Sequence, residues 1–355
     1  MNKSLSLKRG IYIVLFAISS FPTIGYNWFG KAIFIIFFSN AFILKNPKIF
    51  LAMLIAMLLI LFSSFFQFSL TKYFFLDILI LLNCVGLLLI NIKQSHESSL
   101  NIIWLIYLGC FIQVIYGLFN GNTAIIAVYG MPVVQLGFGT ASLSTLFSIL
   151  ALLTYHSIDK KSTFFFPLLI LPMFLLIISA GRASLLALVV LLIIHRPFLN
   201  LGLKILFTFI VLVIMIYTNF LDLFLARTFV AEGGDFSTGR LLVWTATLNE
   251  TGFYKFFGFN LGELGQILEN IRPMIGFYED QLHNELLRMY ITYGYAGVIL
   301  YLFLILRFLI SYLKGYSPQF SGTVLLLLII GLTDNTLVYF HFWTIAYLVY
   351  AKFPE

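Results

Sequence analysis

Three short motifs hold the residues of this chain that could do chemistry. The first is Ser179-Ala180-Gly181-Arg182-Ala183-Ser184, one arginine in a tight turn between apolar runs at 163–178 and 185–194. Small residues on both sides let helices and a ligand approach closely. The run that follows opens a new helix, and a helix N-terminus favours an anion. The second is Thr238-Gly239-Arg240-Leu241-Leu242-Val243-Trp244, a helix start in which Thr238 can cap and Arg240 falls in the first turn. A cation there opposes the macrodipole unless an anion binds beside it. The third is Glu279-Asp280-Gln281-Leu282-His283-Asn284-Glu285-Leu286-Leu287. At about 100° per residue, His283, Leu287, Tyr290 and Gly294 share one narrow helix stripe. Histidine titrates near neutrality and can take a proton from a hydroxyl.

Each motif also has a plainer reading. Arg182 could anchor its turn to lipid phosphates, its stem lying along apolar surface. Arg240 could pair with Glu232 or Asp235 on an exposed face. His283 could cap a helix or bond locally. His96, His156, His195 and His341 lack any comparable setting and read as interfacial or packing residues.

Absences narrow the chemistry further. The sequence has no glycine-rich phosphate loop ending in lysine, so it holds no sign of nucleotide hydrolysis. It shows no His, Cys, Asp or Glu grouping at metal-ligand spacing, no Gly-x-Ser-x-Gly elbow and no DxD-like acid pair. Neither a metal nor an organic cofactor is expected. Cys84 and Cys110 sit singly in separate apolar runs, which gives no disulfide framework.

The elements that must position these residues are apolar throughout. Of 355 residues, 61% are hydrophobic, 18% aromatic and only 10% charged, and the mean hydropathy is +1.03. Soluble domains carry roughly a quarter charged residues. A water-soluble globule and a disordered chain are both excluded. Apolar runs near the roughly 20 residues that cross hydrocarbon recur along almost the whole length. The expected fold is therefore an all-α polytopic membrane protein. It has about twelve spans, at about 10–27, 29–44, 49–68, 74–91, 100–118, 134–155, 163–178, 183–195, 201–220, 285–310, 319–332 and 336–351. Lys3, Lys8 and Arg9 precede the first run, but no small-residue cleavage site follows, so an uncleaved first helix is expected.

Lysine and arginine set the orientation. With the N-terminus inside, thirteen fall on the cytoplasmic face and eight outside, four of those eight in one long loop that the rule discounts. The acids run the other way, three inside and eleven outside. The formal charge of +7 is thus a topology signal and not an affinity for nucleic acid. Asp77 and Arg288 fall near outer helix ends, where snorkelling would account for them. Residues 1–355 read as one integral membrane domain with both termini cytoplasmic. Residues 221–284, rich in acids and glycine, form one long extracytoplasmic loop, and loops of that length usually carry function.

Together the motifs resemble the O-antigen polymerase and ligase family of bacterial surface-polysaccharide assembly. The likeness runs from about Leu136 to Gly297. It is most specific in Ser-Ala-Gly-Arg at 179–182, Gly-Arg-x-x-x-Trp at 239–244 and His-Asn-x-x-Leu at 283–287, with Gly294 seven residues beyond Leu287. Gly258-Phe259-Asn260-Leu261-Gly262 looks like the glycine-rich part of the family's loop. Residues 1–130 carry no family signal, and Trp244 stands where ligases tend to have leucine, which fits a polymerase better.

The resemblance implies a fold of the GT-C glycosyltransferase type in the bacterial inner membrane, with its site facing the periplasm. It implies metal-independent glycosyl transfer from an undecaprenyl-diphosphate-linked oligosaccharide to the next lipid-linked repeat unit. Arg182 and Arg240 would hold the diphosphate, with Arg272 and Arg288 weaker candidates, and His283 would be the base or orienter for the acceptor hydroxyl. Membrane lipid, a chain-length regulator protein and a flippase are the implied partners. Two readings compete: a ligase of the same family, passing glycan to lipid A–core, and a transporter or flippase of the lipid-linked glycan. A transporter would commonly show paired repeats and polar groups near the membrane midplane; this chain shows neither.

Overall fold

The computed structural model describes residues 31, 34, 35, 38, 72–92, 104, 107, 108, 125–128, 131–134, 140–178, 181–195, 240–251, 258, 263–275 and 282–350. Among these the chain is helical, with one two-stranded ladder. The helices are α1 Lys72–Leu89, α2 Thr140–Ser157, α3 Phe165–Ile178, α4 Arg182–His195, α5 Arg240–Thr251, α6 Leu264–Ile275, α7 Glu285–Leu313, α8 Pro318–Ile330 and α9 Phe340–Tyr350. The ladder pairs β1 Ile125–Val128 antiparallel with β2 Met131–Val134, Ile125 opposite Val134 and Val128 opposite Met131.

Helix ends follow local chemistry. The Asn284 side chain accepts from Leu287 N at 2.9 Å and starts α7, so the helix begins after the cap. Pro318 opens α8, where its missing N–H costs nothing. Residues Gln319–Leu328 of α8 and all of α9 are buried. Helices apolar on every side belong inside a bundle, and α8 and α9 take that place here.

Polar contacts fix the helix directions. At one end, His156 Nε2 lies 2.9 Å from Tyr312 Oη, and the His156 and His195 rings meet edge-on with centroids 4.4 Å apart. Gln319 Nε2 donates to Ser157 Oγ at 3.4 Å. The C-termini of α2, α4 and α7 therefore share an end with the N-terminus of α8. At the opposite end the N-termini of α2, α4 and α7 gather around the segment that leaves α8. There Ser184 Oγ lies 3.3 Å from both Ser144 Oγ and Thr145 Oγ1. A Cβ on Gly181 would stand 2.0 Å from Ser144 Cβ, so only glycine lets α4 start this close to α2.

α7 is broken at Gly294, whose φ of 64° and ψ of −153° belong to a region open essentially to glycine alone. The break lets its two arms serve two cores. Tyr301, Leu304, Phe308 and Tyr312 enter the main core with α8 and α9. Leu287, Tyr290 and Ile291 join a smaller core with Val243, Ala246, Leu264, Ile267, Leu268 and Ile271. In α6 the buried residues Leu264, Ile267, Leu268, Ile271 and Ile275 trace one helical stripe. Burying each such leucine or isoleucine stabilises by about 1.5–3 kcal/mol. The pair α5–α6, from the stretch expected to form the long loop, is thereby docked as a cap on the start of α7.

Several expectations need correction. The sixth run begins at Thr140 and not at 134, because Met131–Val134 pairs as a strand. The stripe expected from His283 does not start there: His283 precedes the helix with φ 49°, and Gly294 interrupts it. Val243 and Ala246 of α5 pack with α6 and the start of α7. Asp77 and Arg288 do not snorkel. They are buried against each other, Arg288 Nη2 donating to Asp77 Oδ1 at 2.9 Å. His156 and His195 do pack, with Tyr312, and His341 packs on Phe342. The first three spans, the fifth and the ninth lie wholly or almost wholly outside the described residues, as do residues 221–239. Among the described residues one helix, Glu285–Leu313, is long and apolar enough to cross a membrane; four shorter helices are also apolar.

The Asp77–Arg288 pair gives a stability expectation. Arg288→Met leaves a buried, uncompensated carboxylate and is expected to destabilise by about 3–5 kcal/mol. Combining it with Asp77→Leu removes both charges and is expected to restore most of that loss. Thermal unfolding of the purified variants checks it, and equal loss in single and double variants would contradict it.

Candidate functional site

Arg240 and His283, separated by 43 positions in sequence, converge on the turn between α8 and α9. Arg240 opens α5, half-exposed, and its Nη1 donates to the carbonyl of Thr333. A guanidinium has five N–H donors, and one carbonyl engages a single edge of it.

His283 sits between the cap and α7. Trp244 Nε1 donates to Leu282 O at 2.6 Å, which ties α5 to the residue just before it. Asn284 caps α7 just after it. Held on both sides, His283 takes a left-handed backbone with φ 49°, an arrangement uncommon outside glycine that clusters at functional sites. Its side chain keeps 25% of its surface exposed, against 7% for Asp334 beside it. Most of the ring is therefore packed.

Its Nδ1 meets two groups of opposite character. Asp334 Oδ1 lies 3.3 Å away and can accept from Nδ1–H. Asn335 Nδ2 lies 3.1 Å away and can donate to an unprotonated Nδ1. The tautomer with Nδ1–H on Asp334 keeps its lone pair on Nε2, where a base needs it. A proton taken at Nε2 makes an imidazolium, which the Asp334 carboxylate stabilises. Asp334 is itself oriented, since its Oδ1 also accepts from Asn335 N at 2.8 Å.

Arg182 is the first residue of α4. The antiparallel course of α2 and α8, and the Gly181–Ser144 contact, put its backbone at the same end of the bundle as the turn; its side chain lies outside the described residues. The other arginines are not brought in. Arg272 is exposed on α6, and Arg288 is committed to Asp77 inside the bundle. Arg288 cannot also hold a diphosphate, because burial and a carboxylate partner already take up its charge. Gly258, with φ 72°, lies against the break in α7: a Cβ there would be 2.4 Å from Gly294 N. That contact joins the glycine-rich stretch to the helix that follows His283.

Sequence reasoning missed Thr333, Asp334 and Asn335. The available signal was a short polar run, Thr333-Asp334-Asn335-Thr336, between two apolar segments. Among the described residues no group of three or more His, Cys, Asp and Glu side chains could hold a metal ion. The arrangement sets a guanidinium and an imidazole–carboxylate pair on one turn, groups that can bind an anion and accept a proton. Compared with known proteins, the chain is matched by no family model, no curated protein and no solved structure.

Proposed function

We propose that this chain is a glycosyltransferase of the bacterial cytoplasmic membrane, with about twelve spans and both termini cytoplasmic. It would polymerise a surface polysaccharide on the periplasmic side. The observation that supports this reading best is the convergence of Arg240 and His283 on the 333–335 turn. A guanidinium beside an imidazole–carboxylate pair suits a reaction with an anionic leaving group and a hydroxyl nucleophile.

The substrates are a growing glycan on polyprenyl diphosphate and a single repeat unit on the same carrier. A hydroxyl of the single repeat attacks the anomeric carbon of the growing chain. The bond from that carbon to the diphosphate oxygen breaks, with inversion, and polyprenyl diphosphate departs carrying the bonding electrons. His283 Nε2 receives the hydroxyl proton, and Asp334 stabilises the resulting imidazolium. Arg240, with Arg182 as the second guanidinium, offsets the charge growing on the leaving group. Guanidinium suits that task because it presents paired donors and stays charged. Each such contact is worth about 1.5–3 kcal/mol. No nucleotide supplies energy, since the lipid diphosphate is already the activated group.

Loss of the chain in cells tests the reading. Cells lacking it are expected to display surface glycan one repeat long, because a separate ligase still transfers single units. Long polymer stranded on the carrier lipid would mean instead that this chain performs the final transfer to lipid A–core. Single units trapped on the cytoplasmic side would mean that it is a transporter.

A further inference from the structure

We propose that Glu285 is a positioning residue for the transfer site, the clamp that holds the 331–337 turn in register with His283. The proposal rests on the transferase reading for its kinetic consequences only. Glu285 is fully buried at the first position of α7, two residues after His283. It grips the turn at both ends. Its backbone N donates to Gly331 O at 2.8 Å, and its Oε1 accepts from Leu337 N at 2.9 Å. Between those two anchors lie the Thr333 carbonyl that engages Arg240 and the Asp334 and Asn335 side chains that face His283.

The seat is tight on the other side as well. A Cβ on Gly331 would meet Tyr301 Oη at 2.4 Å, Thr336 Oγ1 at 2.6 Å and Glu285 Cγ at 3.2 Å. Tyr301 Oη donates to Leu328 O at 2.7 Å and Thr336 Oγ1 to Leu327 O at 2.8 Å. The last carbonyls of α8 are thus capped by side chains packed beside Glu285. One residue thereby carries the position of α7 into the turn that orients both Arg240 and His283. A buried acid is a costly choice for a space-filling role. What the site requires of it is one acceptor oxygen at Leu337 N, which an amide supplies as well as a carboxylate.

The test compares Glu285→Gln, which keeps that acceptor, with Glu285→Met, which keeps the volume without it. The first readout needs no transferase activity: carbethoxylation of His283 by diethyl pyrocarbonate in the full-length protein, quantified by mass spectrometry. Modification of His156 serves as the folding control. The methionine variant is expected to modify several-fold faster at His283 but not at His156, and the glutamine variant at the wild-type rate. In the polymerisation assay the methionine variant is expected to lose about 10–100-fold in kcat with little change in KM, and the glutamine variant to stay within about threefold.

Adding Glu285→Met to His283→Asn is expected to cost no further activity, because both changes disable the same unit. If His156 modification rises too, the methionine variant is misfolded. Gly331→Ala then strains the same turn from its other anchor, with the same expectations at His283. An unchanged His283 rate in a folded methionine or Gly331 variant overturns the proposal, as does a glutamine variant as impaired as the methionine one. A faster His283 rate in a protein whose wild type makes no polymer leaves Glu285 as the clamp and removes the transferase reading.

Discussion

His283→Asn is expected to lower polymerisation by about two to four orders of magnitude, the usual contribution of a positioned general base. Asparagine is the informative replacement because His283 has a left-handed φ of 49°. Asparagine tolerates that conformation better than most residues, so the backbone stays in place while the imidazole is lost. His283→Ala removes the ring and also stiffens the backbone penalty, and it is expected to be at least as inactive and less stable. Asp334→Asn is expected to show a smaller loss, about 10–100-fold, because the ring remains and only its tautomer and charge partner change. The check is initial rate on lipid-linked repeats at matched protein levels. Full activity in His283→Asn would take histidine out of the mechanism.

Arg240→Lys is expected to cost about 30–150-fold in rate although the charge is retained, equivalent to losing one contact of about 2–3 kcal/mol. The proposed reaction gives the guanidinium two tasks: its Nη1 holds the Thr333 carbonyl, and its other donors would bind the diphosphate. An ammonium is a single point with three donors and no flat edge. If it bonds the carbonyl it withdraws from the diphosphate, and if it reaches the diphosphate it releases the turn. Arg182→Lys is expected to lose activity in the same range but without loosening the turn, which separates the two arginines. Near-normal rates in Arg240→Lys would return that residue to a purely structural tie between α5 and the turn.

Helix starts were legible from the apolar runs: those expected from about 183, 285 and 319 match α4, α7 and α8, which open at Arg182, Glu285 and Pro318. Arg240 and His283 were legible for a different reason: each sits in a short motif read as a helix start, and the motifs together resemble one family. Partnership was not legible. Nothing in spacing links His283 to Asp334, 51 positions away, because that contact exists only once α7 and α8 lie antiparallel. Arg288 looked like Arg240 from sequence, being an arginine near a helix start. Asp77 distinguishes it, and Asp77 comes from a helix 211 positions earlier. The β1–β2 hairpin escaped notice because short β-branched runs in so apolar a chain do not separate from helix by periodicity. The α5–α6 cap escaped because α5 alone has an apolar face with two possible destinations, lipid or a neighbouring helix, and its neighbour α6 decides between them.

The acceptor is the central claim, and purified protein tests it most directly. The full-length chain, reconstituted with only polyprenyl-diphosphate-linked single repeats, is expected to produce a ladder of glycans. It should do so without nucleotide, divalent metal or lipid A–core, and the His283→Asn protein made in parallel should produce none. No ladder from the wild type, together with transfer of a single unit or finished glycan to added lipid A–core, would contradict the polymerase account.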